Sequence, residues 1–251
     1  MNKFLFLFSL LLASLSHAAT PQQQLNTLFD SDWQWSMRNA PEFATAVGDN
    51  RYNDRLSDAS LAASLAGNTH QQQMLLQAKR IDRSKLSGQD LLSYDLFIYE
   101  KQKNIQAAKF YPYNPEPISQ LSGVQFEFPQ LVAQTPFSTV KDYRNYLGRL
   151  RALPKYVDGV IAQLQQGVKS GWVAPKVTMS VVPDNCRNLS PSSTAVPWLS
   201  RSRTCRRRSR RRSAQAWRVK ANACCIKAWR RLSASWRRIS AAAICQLAAT
   251  A

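Results

Sequence analysis

The stretch STVKDYRNYLGRLRALPKYVDGVIAQLQQGVKSG, residues 138–171, decides the fold class. Ser138 supplies a helix cap, and Val140, Tyr143, Leu147 and Leu150 then recur on one helical face. Pro154 interrupts the pattern and restarts it, with Val157, Ile161, Leu164 and Val168 carrying the apolar face until Gly171. A proline at such a junction predicts two helices meeting at a kink or tight corner. Helical patterns of this kind dominate the chain, so the fold is expected to be mainly α, with at most one short hairpin.

Working outward, the same periodicity returns. Thr20-Pro21 opens a helix through Leu25, Leu28, Phe29 and Trp33, and Pro41 opens a short one that Gly48 closes. Residues 57–79 are helix-like, starting at Ser57-Asp58 with Gly67 as a weak point. Ser87-Gly-Gln-Asp90 has the form of a capping box before Leu91, Tyr94, Ile98 and Ile105. Tyr111 to Pro117, with three prolines, must be extended or turning. Ile118 to Gln134, with Gly123 and Pro129, reads as a short hairpin or a packed loop, and Val177 to Val182 as a short strand.

Two flanking segments differ from this helical body. Met1 to Ala18 has a basic residue, Lys3, an apolar run Phe4 to Leu15 and a small-x-small site Ser16-His17-Ala18, which predicts a secretory signal cleaved after Ala18. The apolar run is too short to span a bilayer, so a periplasmic or secreted product without a transmembrane span is expected. The second boundary is Pro183-Asp-Asn-Cys186. All 15 acidic residues, all eight Gly and all ten Phe precede Asn185, and all five Cys follow it. The formal charge of +19 divides into +3 before that point and +16 after it.

A long stretch without Asp, Glu, Gly or Phe is hard to reconcile with a selected core. Codon bias read out of register yields such an Arg-, Ser-, Ala-, Cys- and Trp-rich text, so 184–251 is read as a poorly defined, out-of-frame tail. The alternative is a real cationic segment: Arg201 to Ser213 with Trp198, Trp217, Trp229 and Trp236 could contact nucleic acid or an anionic surface. The expected division is therefore a signal at 1–18, a helical part at 20–183 and the tail at 184–251.

The chemistry open to the chain is narrow. Signal cleavage leaves His70 as the sole histidine, so neither a His-Glu-x-x-His zinc helix nor a His-rich zinc site can be assembled. His70 lies in a polar run and reads as solvent-facing. No G-x-S-x-G elbow and no Gly-rich phosphate loop occurs. The loop Asp49, Asn50, Arg51, Tyr52, Asn53, Asp54, Arg55 carries both signs of charge and reads most simply as a salt-bridged turn. Glu127, between Phe126 and Phe128, could be a desolvated acid for carboxylate-driven hydrolysis, or a strand glutamate pointing to water.

The ordered set Leu28-Phe-Asp-Ser-Asp-Trp33-Gln-Trp35, Pro41-Glu-Phe-Ala-Thr45, Gly48-Asp49, Arg51-Tyr52, Asp54-Arg55-Leu56, Leu92-Ser-Tyr-Asp95, Phe128-Pro-Gln-Leu131 and Leu150-Arg-Ala-Leu-Pro154 resembles the opening of the exported bacterial domain of unknown function 885 family (DUF885). The resemblance covers roughly residues 25–183 and implies a mostly helical fold. It also implies relatives that are longer and similar to zinc metallopeptidases of the His-Glu-x-x-His type. No residue of this chain matches that metal helix. Zinc and a peptide substrate are thus implied for intact relatives, with no catalytic residue, metal ligand or cofactor in this chain.

Overall fold

A computed structural model describes residues 19–114 and 116–182, and among them every regular element is helical. The predicted signal with its Ala18 cut, and the basic tail, lie outside the described residues. The α-helices are α1 (Pro21–Asn39), α2 (Pro41–Ala46), α3 (Leu61–Ala78), α4 (Gly88–Phe110), α5 (Val124–Gln134), α6 (Val140–Ser170) and α7 (Lys176–Met179).

The first core forms where α1 crosses the α3–α4 hairpin. Leu25 and Leu28 from α1, Met74 and Ala78 from α3, and Tyr94 from α4 bury together with Ile81 and Leu86 of the intervening turn. Thr20 starts α1 with a reciprocal cap, its hydroxyl accepting from the Gln23 amide and the Gln23 side chain accepting from the Thr20 amide. Trp33, expected on the buried face, is about half exposed at 47%. α3 begins later than the Ser57-Asp58 pair suggests, because Ser60 caps it by accepting from the Ala63 amide. The capping box expected at Ser87 does not form: Ser87 makes no side-chain cap hydrogen bond.

The second core is organised by α6, which runs unbroken for 31 residues with Pro154 inside it. The expected pair of helices is therefore a single one. Leu150, Leu153, Val157 and Val160, on both sides of the proline, are each at most 2% exposed. Burying such side chains stabilises by about 2 kcal/mol apiece, which outweighs the roughly 3 kcal/mol that an interior proline costs a helix. Thr139, one residue after the predicted Ser138, caps the helix with Asp142 reciprocating, and left-handed Gly171 (φ 76°) ends it.

The hairpin expected within 118–134 is also absent. Val124, Phe128, Leu131 and Val132 bury together against Leu147, Leu150 and Leu153, and their spacing is satisfied only by a helix. Pro129 lies inside α5, whose buried face overrides its breaking tendency. The strand expected at 177–182 is instead the short α7, followed by a fully buried Val182. Residues 111–114 and 116–117 do lie outside regular structure, as their prolines require.

Candidate functional site

Arg149 is the largest fully buried side chain and the centre of the site. It sits among the buried Leu147, Leu150 and Leu153 on the core face of α6. Its guanidinium donates to five acceptors: from Nε to the Arg55 carbonyl (3.0 Å), from Nη1 to Thr135 Oγ1 (3.2 Å), and from Nη2 to the Pro41 carbonyl (3.1 Å), Thr45 Oγ1 (2.6 Å) and Asn53 Oδ1 (3.5 Å). None of these is a carboxylate. Desolvation accordingly lowers the Arg149 pKa to about 10, against the countering fields of Glu42 and Asp54.

Those acceptors tie down the charged loop. As the sequence implies, residues 49–55 form a salt-bridged turn: Arg51 Nη2 pairs with Asp49 Oδ2 at 2.7 Å and also donates to Gln34 Oε1 at 2.7 Å. Arg55 Nε reaches Asp54 Oδ1 at 3.2 Å, and both Arg51 and Arg55 lie over the Tyr52 ring. The hydrogen bond from Arg51 holds the Asp49 carboxyl below its ordinary range. The charged tips of Arg51, Asp54 and Arg55 are exposed, whereas Asn53, which sequence reading passed over, is buried and accepts from the Thr45 hydroxyl at 2.7 Å.

Backbone proximity completes the clamp. A Cβ on Gly148 would run into the Asp54 carbonyl, and one on Gly159 would lie 2.9 Å from the Ala59 carbonyl oxygen. The strap 53–59 thus rests directly on α6 at two glycines one residue or a few turns from Arg149. Gln163 adds a further bond by donating to the Ala59 carbonyl.

Beside this clamp opens a cleft of about 340 Å³, lined among others by Phe43, Leu56, Phe128 and Leu131 and bearing Glu42, Glu127 and Tyr156. Glu42 accepts from the Ser57 amide at 3.0 Å and from the Ser57 hydroxyl. Glu127 is not a strand residue: it stands in the first turn of α5, exposed, and accepts from the Gly123 amide at 3.2 Å. Burial pushes the Tyr156 phenol up to about 12, with Glu42 and Glu127 adding to the rise. The cleft therefore joins Glu127 to a second carboxylate, Glu42, that sequence reading had not singled out.

His70 is corrected from solvent-facing to buried. Its Nε2 lies 2.7 Å from Asp32 Oδ1, its ring stacks on Trp35 at 3.8 Å, and the other Asp32 oxygen takes the buried Lys101 ammonium at 2.8 Å. The group joins α1, α3 and α4 and shares no residue with the Glu42–Glu127 cleft. Among the described residues, no group of three or more His, Cys, Asp or Glu side chains is placed to hold a metal ion. The described residues thus offer no ligand set for the zinc that the resemblance implies for intact relatives.

Fold and site together define an all-helical protein whose long α6 clamps a charged N-terminal strap through a buried arginine. The chain belongs to the family of bacterial proteins of unknown function DUF885, whose model matches residues 41–243. That match continues past Pro183 through most of the basic tail, so the expected end of the family pattern near residue 184 is not upheld. A crystal structure described as "the putative lipoprotein from Colwellia psychrerythraea" shares the fold, with TM-score 0.68 and 13% identity. The similarity covers 88% of this chain and 42% of that one, so this chain spans less than half the length of its structural neighbour. No curated protein matches the chain. None of the described helices is long and apolar enough to cross a membrane.

Proposed function

We propose that this chain is the exported N-terminal part of a longer, metallopeptidase-like protein, that its helices wall one side of a substrate cleft, and that by itself it hydrolyses no peptide. The observation that carries the reading is the span of the structural match, nearly all of this chain against 42% of its neighbour. The 251 residues contain no His-Glu-x-x-His sequence, so zinc and the peptide substrate belong to a portion this chain does not supply. Exposed apolar side chains such as Leu121 (81%), Val177 (76%) and Phe110 (70%) suit surfaces that a further portion would cover. Periplasmic or secreted placement rests on the Met1–Ala18 signal pattern and agrees with the neighbour's description as a lipoprotein.

In this reading the tail after Asp184 is out of frame and makes no functional contribution. A second reading is favoured by the family match, which runs to residue 243: the tail is genuine, and its +16 charge engages anionic surfaces or nucleic acid. Incubating the purified chain with zinc and a mixed peptide library, with products followed by mass spectrometry, tests the first reading. No cleavage is expected, and chelator-sensitive cleavage would overturn it. Salt-dependent retention on heparin, lost when 185–251 is removed, would establish the second.

A further inference from the structure

The cleft beside the Arg149 clamp has an asymmetric charge. Its walls are apolar, with Phe43, Leu56, Phe128 and Leu131, and among the described residues its ionisable lining consists of Glu42, Glu127 and Tyr156, without lysine or arginine. Tyr156 stays protonated and neutral through physiological pH, because burial raises its pKa to about 12. Arg149, whose charge feels the field of Glu42, is fully buried and held by five protein acceptors, so it does not enter the cleft. Glu42 is oriented by Ser57 and Glu127 by the Gly123 amide, which places both carboxylates on built elements rather than on mobile side chains alone.

We infer that this cleft binds an organic ammonium ion carried on an apolar body. The walls remove the body from water, the carboxylates receive the charged head, and an anion of the same shape is repelled. A volume of about 340 Å³ falls in the range of small-molecule sites. Low-dielectric walls strengthen the attraction over its value in bulk water, and aromatic rings in the lining favour a cation further. The site is independent of any peptidase reading, since it needs only residues of this chain.

The test is a calorimetric titration of the full chain with phenethylammonium, set against neutral 2-phenylethanol of nearly the same shape. Saturable one-to-one binding of the ammonium is expected, with the alcohol at least about fivefold weaker, the size of one exposed charge pair. Glu127→Gln keeps an acceptor for the Gly123 amide and should weaken the ammonium by about fivefold while leaving the alcohol unchanged. Phenylacetate should fail to displace the ammonium. Equal affinity for ammonium and alcohol, no saturable ammonium binding, or an unaltered affinity in Glu127→Gln would each overturn the assignment. The comparison of ammonium with alcohol decides the matter even if the variant does not fold.

Discussion

Arg149 Nε donates to the main-chain carbonyl of Arg55 at 3.0 Å across 94 residues of sequence. That bond and its four companions turn α6 into the support on which the N-terminal strap is laid. Arg149→Met would take the guanidinium from all five acceptors, of which Asn53 Oδ1 and the Pro41 carbonyl are left with the shared Thr45 hydroxyl, and lost bonds to a charged donor cost about 1.5–3 kcal/mol each. A destabilisation of about 3–5 kcal/mol is expected, read as a fall in the urea midpoint at unchanged m-value. Arg149→Lys, with three donors at one point, should recover part of it.

Gly148 and Gly159 predict an inversion of an ordinary rule. Alanine in place of an interior helical glycine normally stabilises by about 1 kcal/mol. Here Gly148→Ala would push Asp54 off α6, and Gly159→Ala would crowd the Ala59 backbone. Both variants should melt below the wild type, Gly148→Ala by more. Gly67→Ala on α3, whose Cβ would meet only the Trp35 ring at 4.0 Å, is the control expected to be neutral or stabilising.

Asp32 serves two partners, His70 and Lys101, of which Lys101 is only 7% exposed. Asp32→Asn leaves that ammonium buried without a counter-charge, at a cost of about 3–5 kcal/mol. The double variant Asp32→Asn with Lys101→Met removes both charges, so it should be less destabilised than the two single changes summed. A double-mutant cycle in thermal or urea unfolding measures the coupling, and strict additivity would show that the pair does not interact.

Tyr156 gives a pH dependence with a definite sign. Its folded pKa, pushed up to about 12 by burial, lies above the ordinary phenol value of 10.0. Between these values the unfolded chain has lost the phenol proton while the folded chain keeps it. Stability from this group is therefore complete below pH 10 and declines as pH rises towards 12. Arg149, lowered from 12.5 to about 10, acts oppositely: above pH 10 the unfolded chain holds the proton that the folded chain releases, and stability rises. Tyr156→Phe should thus gain on the wild type between pH 10 and 12, in equilibrium unfolding measured at each pH.

Much of this architecture is written locally. Most of the apolar faces of α1, α4 and α6, though not the half-exposed Trp33 and Val140, the prolines opening α1 and α2, and the left-handed glycines 48 and 171 follow from spacing and backbone stereochemistry alone. What sequence reading misplaced depends on tertiary packing. Pro129 and Pro154 signal breaks, yet both lie inside helices whose buried faces outweigh the missing N–H bond. Val177, Val181 and Val182 suggest β-structure, but only Val182 is buried, so no sheet partner selects a strand. His70 looks polar in its Gln-rich setting because Asp32, its partner, stands 38 residues away.

The site shows the same division. The Asp49–Arg55 turn is legible because its ion pairs are between near neighbours. Arg149 is not, since it is one of three arginines on α6, with Arg144 and Arg151, and reads like them as a surface residue. Its acceptors lie up to 108 residues away. Its place between Gly148 and Leu150, close to Leu147 and Leu153, is nevertheless the local clue that a buried cation sits there.

The proposed function requires that the helical part continue into a metal-bearing half. Reading the gene across codons 180–190 and translating all three frames downstream tests that most directly. A second frame is expected to resume acids and glycines and to reach a His-Glu-x-x-His helix. Confirmation of the present frame, with early stops in the other two, would contradict it and make the basic tail a native part of the protein.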